Sequence, residues 1–337
     1  MKQVLAVIGA VALILVAVLV RNAMDGDDGS GGGGGGGSDV ALLCPPELAD
    51  ACEAAGGERG VRVEDAGTTA DTLRGATDPD AVEPAVWVVP APWVEAVRSG
   101  IEVEELVGEP SDVIARSPVA LVLFEDRAAA LESGPCAGGI EWSCLGDAAD
   151  RPWSQAGGEA GWGRVKVGVT DPTSAAGLPV LGGAAAGYFG SASFASNDFS
   201  GGFSGWLAAL GADAGEAAEG DPVARMVTRG PGAFSAAGAL EVTTREAAGR
   251  DGFRVLYPAP VTTADLVAVP IGDAGDAADD VAGDEQLRRA LAETGWRVDD
   301  EPAAEGLDDG VELPDDDGLP SGGVMQALLD LWGSATR

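Results

Sequence analysis

Thr170-Asp171-Pro172-Thr173-Ser174 packs three hydroxyls, a carboxylate and a proline into five residues. The β-branched run just before it, Val165 to Val169, predicts a buried strand. The Ala-rich run after it, Ala175 to Gly187, predicts a helix. Asp171 is a capping residue type, and Pro172 suits a first helical turn. A strand, a polar turn and a helix start would gather backbone N–H groups and the positive end of a helix dipole at one spot. The chemistry this suggests is recognition of a polar or anionic small molecule. The same residues also make an ordinary strand-to-helix junction, so their meaning depends on the rest of the chain.

Catalytic chemistry finds little support. The 337 residues contain no histidine, which removes Ser-His-Asp and Cys-His catalysis, His-ligated zinc and the usual base near neutral pH. Lysine occurs only at Lys2 and Lys166. Neither follows a glycine, so there is no phosphate-binding P-loop, and no serine lies three residues before Lys166. No Asp or Glu pair stands out from the general abundance of acids. We expect no enzyme and no cofactor. Twenty basic against 55 acidic residues give a net charge of −35, a field that repels phosphate backbones and argues against nucleic-acid binding.

The elements that would position a binding turn alternate between strand and helix. Strands are expected at Val40 to Leu43, Val61 to Glu64, Ala85 to Val89 and Pro118 to Phe124, with helices at Pro46 to Ala55 and Pro92 to Ser99. This pattern predicts an α/β fold with a mostly parallel sheet covered on both faces. Ligands in such sheets bind beyond the carboxyl ends of the strands. Those ends carry Cys44-Pro45, Thr68-Thr69, Pro90 to Trp93 and Thr170 to Ser174. Arg254 to Tyr257 and Leu266 to Ile271 read as strands returning to the first sheet.

Cys44 and Cys52 form one close pair and Cys136 and Cys144 another. Four cysteines allow three disulfide connectivities, of which the local pairing is favoured; the spacing lacks the Cys-x-x-Cys of a zinc site. Gly187 to Trp206 carries four of the seven phenylalanines on a Gly/Ser background, expected to pin an irregular loop to the core. Asp273 to Asp284 reads as solvated charge ahead of a helix from Asp284 to Thr294. The acidic, Pro/Gly-rich stretch 298–323 is expected to be extended or disordered. Val324 to Trp332 is an amphipathic helix expected to dock on the same domain.

At the amino terminus, Val4 to Val20 is a seventeen-residue apolar run, about 25 Å as a helix, which is the short limit for a bilayer core. No small-x-small cleavage site follows it. Residues 1–23 are therefore expected to be a single-pass signal anchor in the cell membrane, with the acidic bulk extracytoplasmic. A cleaved signal is the alternative. Residues 24–39, with seven consecutive glycines from Gly31, read as a flexible tether.

Several motifs in this order resemble the type 2 periplasmic binding proteins, the solute-binding proteins of ABC importers. They are Ala85-Val-Trp-Val-Val-Pro-Ala-Pro-Trp93, Arg116-Ser-Pro-Val-Ala-Leu-Val122, Lys166 through Gly177, Tyr257-Pro258, and Leu287 through Arg297. The resemblance is nearest to the substrate-binding-like regions of actinobacterial extracytoplasmic proteins, some of which carry a von Willebrand factor A domain. It implies two α/β lobes with a ligand cleft between them: 40–117 plus 255–337, and 118–254. Positions matching the ligand-lining turns are Thr68, Thr69, Pro90, Trp93, Ser117, Thr170, Asp171, Thr173, Ser174 and Tyr257. The sequence departs from an anion clamp in having no arginine at those turns, and Asp171 would repel an anion. A neutral or cationic small molecule is as well suited, and a permease or another envelope protein is the implied partner. An interaction protein that keeps the fold without binding a small molecule is the second expectation.

Overall fold

The computed structural model describes residues 40 to 336, apart from 58, 302, 303, 306 and 309. The expected anchor and the tether both lie outside the described residues. Among those described, no helix is long and apolar enough to cross a membrane.

Eight strands form the frame: β1 (Ala41–Cys44), β2 (Val61–Val63), β3 (Ala85–Pro90), β4 (Ala115–Phe124), β5 (Val167–Val169), β6 (Ala236–Leu240), β7 (Phe253–Leu256) and β8 (Thr263–Ile271). They run in the order β2-β1-β3-β8-β4-β6-β5, with β7 also paired to β4. The ten-residue β4 connects two strand groups. Ala115 to Pro118 pair with β8 in the first group, and Val119 to Leu123 pair with β6 in the second. The sheet is mixed where a mostly parallel one was expected. β1 is parallel to β2 and β3, and β5 to β6, but every pairing of β4 and the β3–β8 pair are antiparallel. Strands that carry the chain from one group to the other and back must run in opposite directions, so two crossings impose these pairs. β7 does not return to the first sheet as expected. It pairs with Leu121 to Phe124 in the second group, and only β8 returns.

β3 and β6 are buried at every residue, as a sheet covered on both faces requires, while polar residues enter the other strands at Arg62, Arg116, Ser117, Arg254 and Asp265. Helices α1 (Ala49–Gly56), α2 (Ala66–Gly75) and α3 (Ala91–Arg98) cover the first group. The second group carries α4 (Glu125–Glu132), α5 (Trp142–Ala148), α6 (Gly177–Phe189), α7 (Gly201–Leu210), α8 (Ala214–Ala217), α9 (Pro222–Arg229) and α10 (Glu241–Ala248). Three more follow: α11 (Ala277–Ala282), α12 (Glu285–Thr294) and α13 (Gly322–Ala335). α11 sits where only solvated charge was expected, because Ala277, Ala278 and Val281 turn inward and leave Asp279 and Asp280 outside. At α12 the Asp284 carboxylate caps the helix, accepting from the N–H groups of Gln286 and Leu287.

Both disulfides are local, Cys44–Cys52 and Cys136–Cys144. The aromatic loop is pinned as expected: Phe194 stacks on Phe189 at 4.3 Å between ring centres, and Phe199 lies 5.1 Å from Phe203. The described part of 298–323 forms no helix or strand until α13 begins at Gly322. It is nevertheless anchored, since the Asp317 carbonyl accepts the Thr263 N–H at 2.8 Å and Arg116 donates to the carbonyls of Pro314 and Asp315. α13 docks on the same body through Val324, Met325, Leu328 and Trp332, all buried.

Candidate functional site

The turn after β5 is built differently from a helix start. The helix begins at Gly177, several residues later than Asp171 and Pro172 suggest. Asp171 acts locally: its carboxylate accepts the N–H of Thr173 at 3.0 Å and the hydroxyl of Thr173 at 2.9 Å. The Asp171 carbonyl takes the N–H and the hydroxyl of Ser174, and the Ser174 hydroxyl accepts the N–H of Gly177 at 3.1 Å. Short polar side chains thus satisfy the backbone amides themselves and postpone the helix. The fold back is tight enough to need glycine at 177, where a Cβ would lie 1.7 Å from the Asp171 carbonyl oxygen. The amides of Thr173, Ser174 and Gly177, expected to face a ligand, are therefore already bonded within the turn.

What the turn offers outward is carbonyl oxygen. The Thr173 carbonyl accepts the Gly67 N–H at 3.0 Å from α2, and the Ser174 carbonyl accepts the Trp93 indole N–H at 3.3 Å from α3. Gly67 is held so close that a Cβ there would sit 2.8 Å from that Thr173 oxygen. The second strand group is thus bonded directly to helices of the first. Beside this contact lies an open pocket of about 520 Å³. Asp65, Thr68, Asp71 and Arg74 from the α2 region, Trp93 from α3, Asp171 to Ser174 from the turn, and Gln326, Asp330 and Trp332 from α13 all line it.

Of the residues expected at a site, the pocket brings together Thr68, Trp93, Asp171, Thr173 and Ser174. The others lie elsewhere. Thr69 is buried on the other face of α2, its hydroxyl bonded to Glu64 at 2.8 Å. Ser117, fully buried, accepts the Val242 N–H at 3.1 Å. Thr170 gives both its N–H and its hydroxyl to the Gly238 carbonyl. Tyr257 donates to Glu241, which Arg297 also grips through two nitrogens at 2.7 and 2.8 Å. Burial, and then the Glu241 carboxylate, push the Tyr257 hydroxyl pKa upward. Pro90 lines a separate, enclosed space of about 80 Å³ with Leu48, Ala175, Ala176, Leu240 and Trp296. The space beyond these strand ends is thus small and apolar.

Four carboxylates, Asp65, Asp71, Asp171 and Asp330, face the open pocket against one guanidinium. That guanidinium, Arg74, comes from the end of a helix, so the expectation of no arginine at the strand-end turns stands while an arginine still reaches the pocket. Burial lowers its pKa, with Asp71 and Asp330 opposing the shift. The balance of charge favours a neutral or cationic occupant. Sequence reasoning missed Asp65 just before α2, Asp71 and Arg74 on α2, and Gln326 and Asp330 on α13. Asp71 and Arg74 are three residues apart and Gln326 and Asp330 four, which puts each pair on one helix face, and that spacing is the signal that was present. Among the described residues, no three His, Cys, Asp or Glu side chains converge to hold a metal ion.

No family model matches the chain, and no curated protein is similar to it in sequence. Solved structures share its fold. The periplasmic binding protein P5PA superposes with a TM-score of 0.55 at 15% identity, over 88% of this chain and 99% of that one. A ferric binding protein from Campylobacter jejuni gives 0.52 at 9% identity, over 88% and 96% of the two chains. The apo form of FutA2 from Synechocystis PCC6803 gives 0.51 at 14% identity, also over 88% and 96%. The crossing of β4 between two strand groups, the antiparallel return through β8 and these superpositions agree: the chain has the fold of the type 2 periplasmic substrate-binding proteins.

Proposed function

We propose that this chain is a membrane-anchored, extracytoplasmic solute-binding-like protein that takes a small molecule between two lobes. The lobes are 40–117 with 255–337, and 118–254, and the anchor is 1–23 with the tether 24–39. The observation that carries the reading is a pocket of about 520 Å³ walled from both strand groups, by α2 and α3 on one side and the 171–174 turn on the other. Pockets of this size take small ligands. Its acidic lining favours a neutral or cationic hydrophilic molecule, with Trp93 and Trp332 as apolar walls. The protein binds and does not catalyse, and it works with a permease or another envelope protein. One protein of similar fold is named as a ferric binding protein, and at 9% identity its ligand is not carried over to this chain.

A second reading, an envelope interaction protein that keeps the fold without a solute, is favoured by the self-satisfied turn and by the 80 Å³ apolar space at the strand ends. Thermal shift of the full chain against amino acids, polyamines, sugars and inorganic anions separates the two. Saturable stabilisation by one neutral or cationic compound, lost in Asp71→Asn/Asp171→Asn, supports solute binding. Stabilisation by none of them, or one untouched by the double variant, overturns the site.

A further inference from the structure

The C-terminal helix α13 touches both strand groups at once, and glycines on each side set how close it sits. At its start, Gly322 lies against α3, where a Cβ would be 2.3 Å from the Glu95 carbonyl oxygen. One turn on, Met325 rests on α6: a Cβ at Gly182 would meet its methyl at 2.7 Å and its sulfur at 2.8 Å. Near its end, Trp332 and Thr336 cover Gly211, the residue after α7, where a Cβ would lie 2.6 Å from the Thr336 methyl and 3.1 Å from the Trp332 ring. α3 belongs to the first group, through β3 and β8, and α6 and α7 to the second, through β5. The intervening face, Gln326, Leu329, Asp330 and Gly333, forms one wall of the pocket, with Asp330 attracting Arg74 across it. The helix packs on both groups through the buried apolar side chains Val324, Met325, Leu328 and Trp332, and this non-covalent packing forms a unit that can release without unfolding the sheet.

We propose that α13 is a strap: it holds the two strand groups together over the pocket and lifts to let a solute enter. The lifting clause rests on the solute-binding reading; the strap itself does not, and its test uses no ligand. The full chain is compared by hydrogen exchange with Gly211→Val, which wedges the helix end where the backbone needs no glycine, its φ being −85°. Met325→Asp, which puts a charge against Gly182, is the second variant. The expected result is exchange faster by about tenfold or more in 326–335 and, together with it, in the facing walls 67–74 and 171–177. The β3 and β8 amides stay protected. Two outcomes overturn the proposal at the facing walls: the helix loosens while 67–74 and 171–177 keep their rates, or neither variant loosens the helix. Loss of β3 and β8 protection along with the helix in both variants also overturns it, since α13 is then part of the fold and not a strap.

Discussion

Gly67→Ala tests the contact on which the candidate site is built. The new Cβ would lie 2.8 Å from the Thr173 carbonyl oxygen and 3.2 Å from the Thr173 Cβ, against an ordinary contact of 3.4 Å or more. The turn must retreat by about half an ångström or α2 must shift. Three effects compete. Alanine is better than glycine inside a helix by roughly 0.5–1 kcal/mol. Overpacking against backbone costs about 1–3 kcal/mol. Weakening of the Gly67 N–H bond to Thr173 costs about 1 kcal/mol more. The unfavourable pair wins, and a net loss of about 1–3 kcal/mol is expected. The control is Gly75→Ala at the other end of the same helix, where a Cβ meets nothing within 4 Å. That variant should be neutral or more stable by up to about 1 kcal/mol. Urea unfolding of both variants with a common slope supplies the comparison. A Gly67→Ala protein as stable as Gly75→Ala would refute the argument, because the turn would then not be pressed against α2.

Asp317 is half-buried beside Asp265, Asp316 and Glu95, which raises its pKa to about 6, loss of solvation being the larger cause. Because the folded value lies above the unfolded one, its favourable contribution is full below about pH 4 and is lost as pH rises through 6. Asp317→Asn should therefore stabilise the protein at pH 7.5 by about 2 kcal/mol, allowing for partial solvent screening, and do little at pH 4; equal effects at both would refute it. Glu241, 1% exposed and held by Arg297 and Tyr257, should be costly to remove: Glu241→Ala is expected to lose about 3–5 kcal/mol and Tyr257→Phe about 1–2, in chemical denaturation. Replacing Cys136 and Cys144 together by serine opens a nine-residue loop and should cost about 2–3 kcal/mol in the same assay; no change in midpoint would count against a stabilising bond.

Much of the frame was legible because apolar runs have one use in a covered sheet. Ala85 to Val89 and Pro118 to Phe124 lie within β3 and β4, and the close cysteine pairs bond locally because short loops close easily. The direction of pairing was not legible. Phe253 to Leu256 has the composition of a strand, but nothing in it says that it pairs with Leu121 to Phe124 and not with the first group. α11 was hidden for a related reason: its three inward residues are two alanines and a valine among aspartates, too little contrast for a periodic signal.

The candidate site divides along the same line. Residue type and spacing by themselves determined the α/β frame, the acidic field unfit for nucleic acid, and a polar turn at Thr170 to Ser174 where two elements meet. Only the tertiary structure decided what that turn does with its amides, since Asp171 and Ser174 consume them through bonds of two and three residues that rival a helix start. It alone brought α2 and α13, which lie some 250 residues apart in the chain, to opposite walls of one pocket. Local pattern reports which face of an element is polar. Which two polar faces share a cavity depends on how the whole sheet is threaded, and that is set by the burial of many weakly specific apolar residues together.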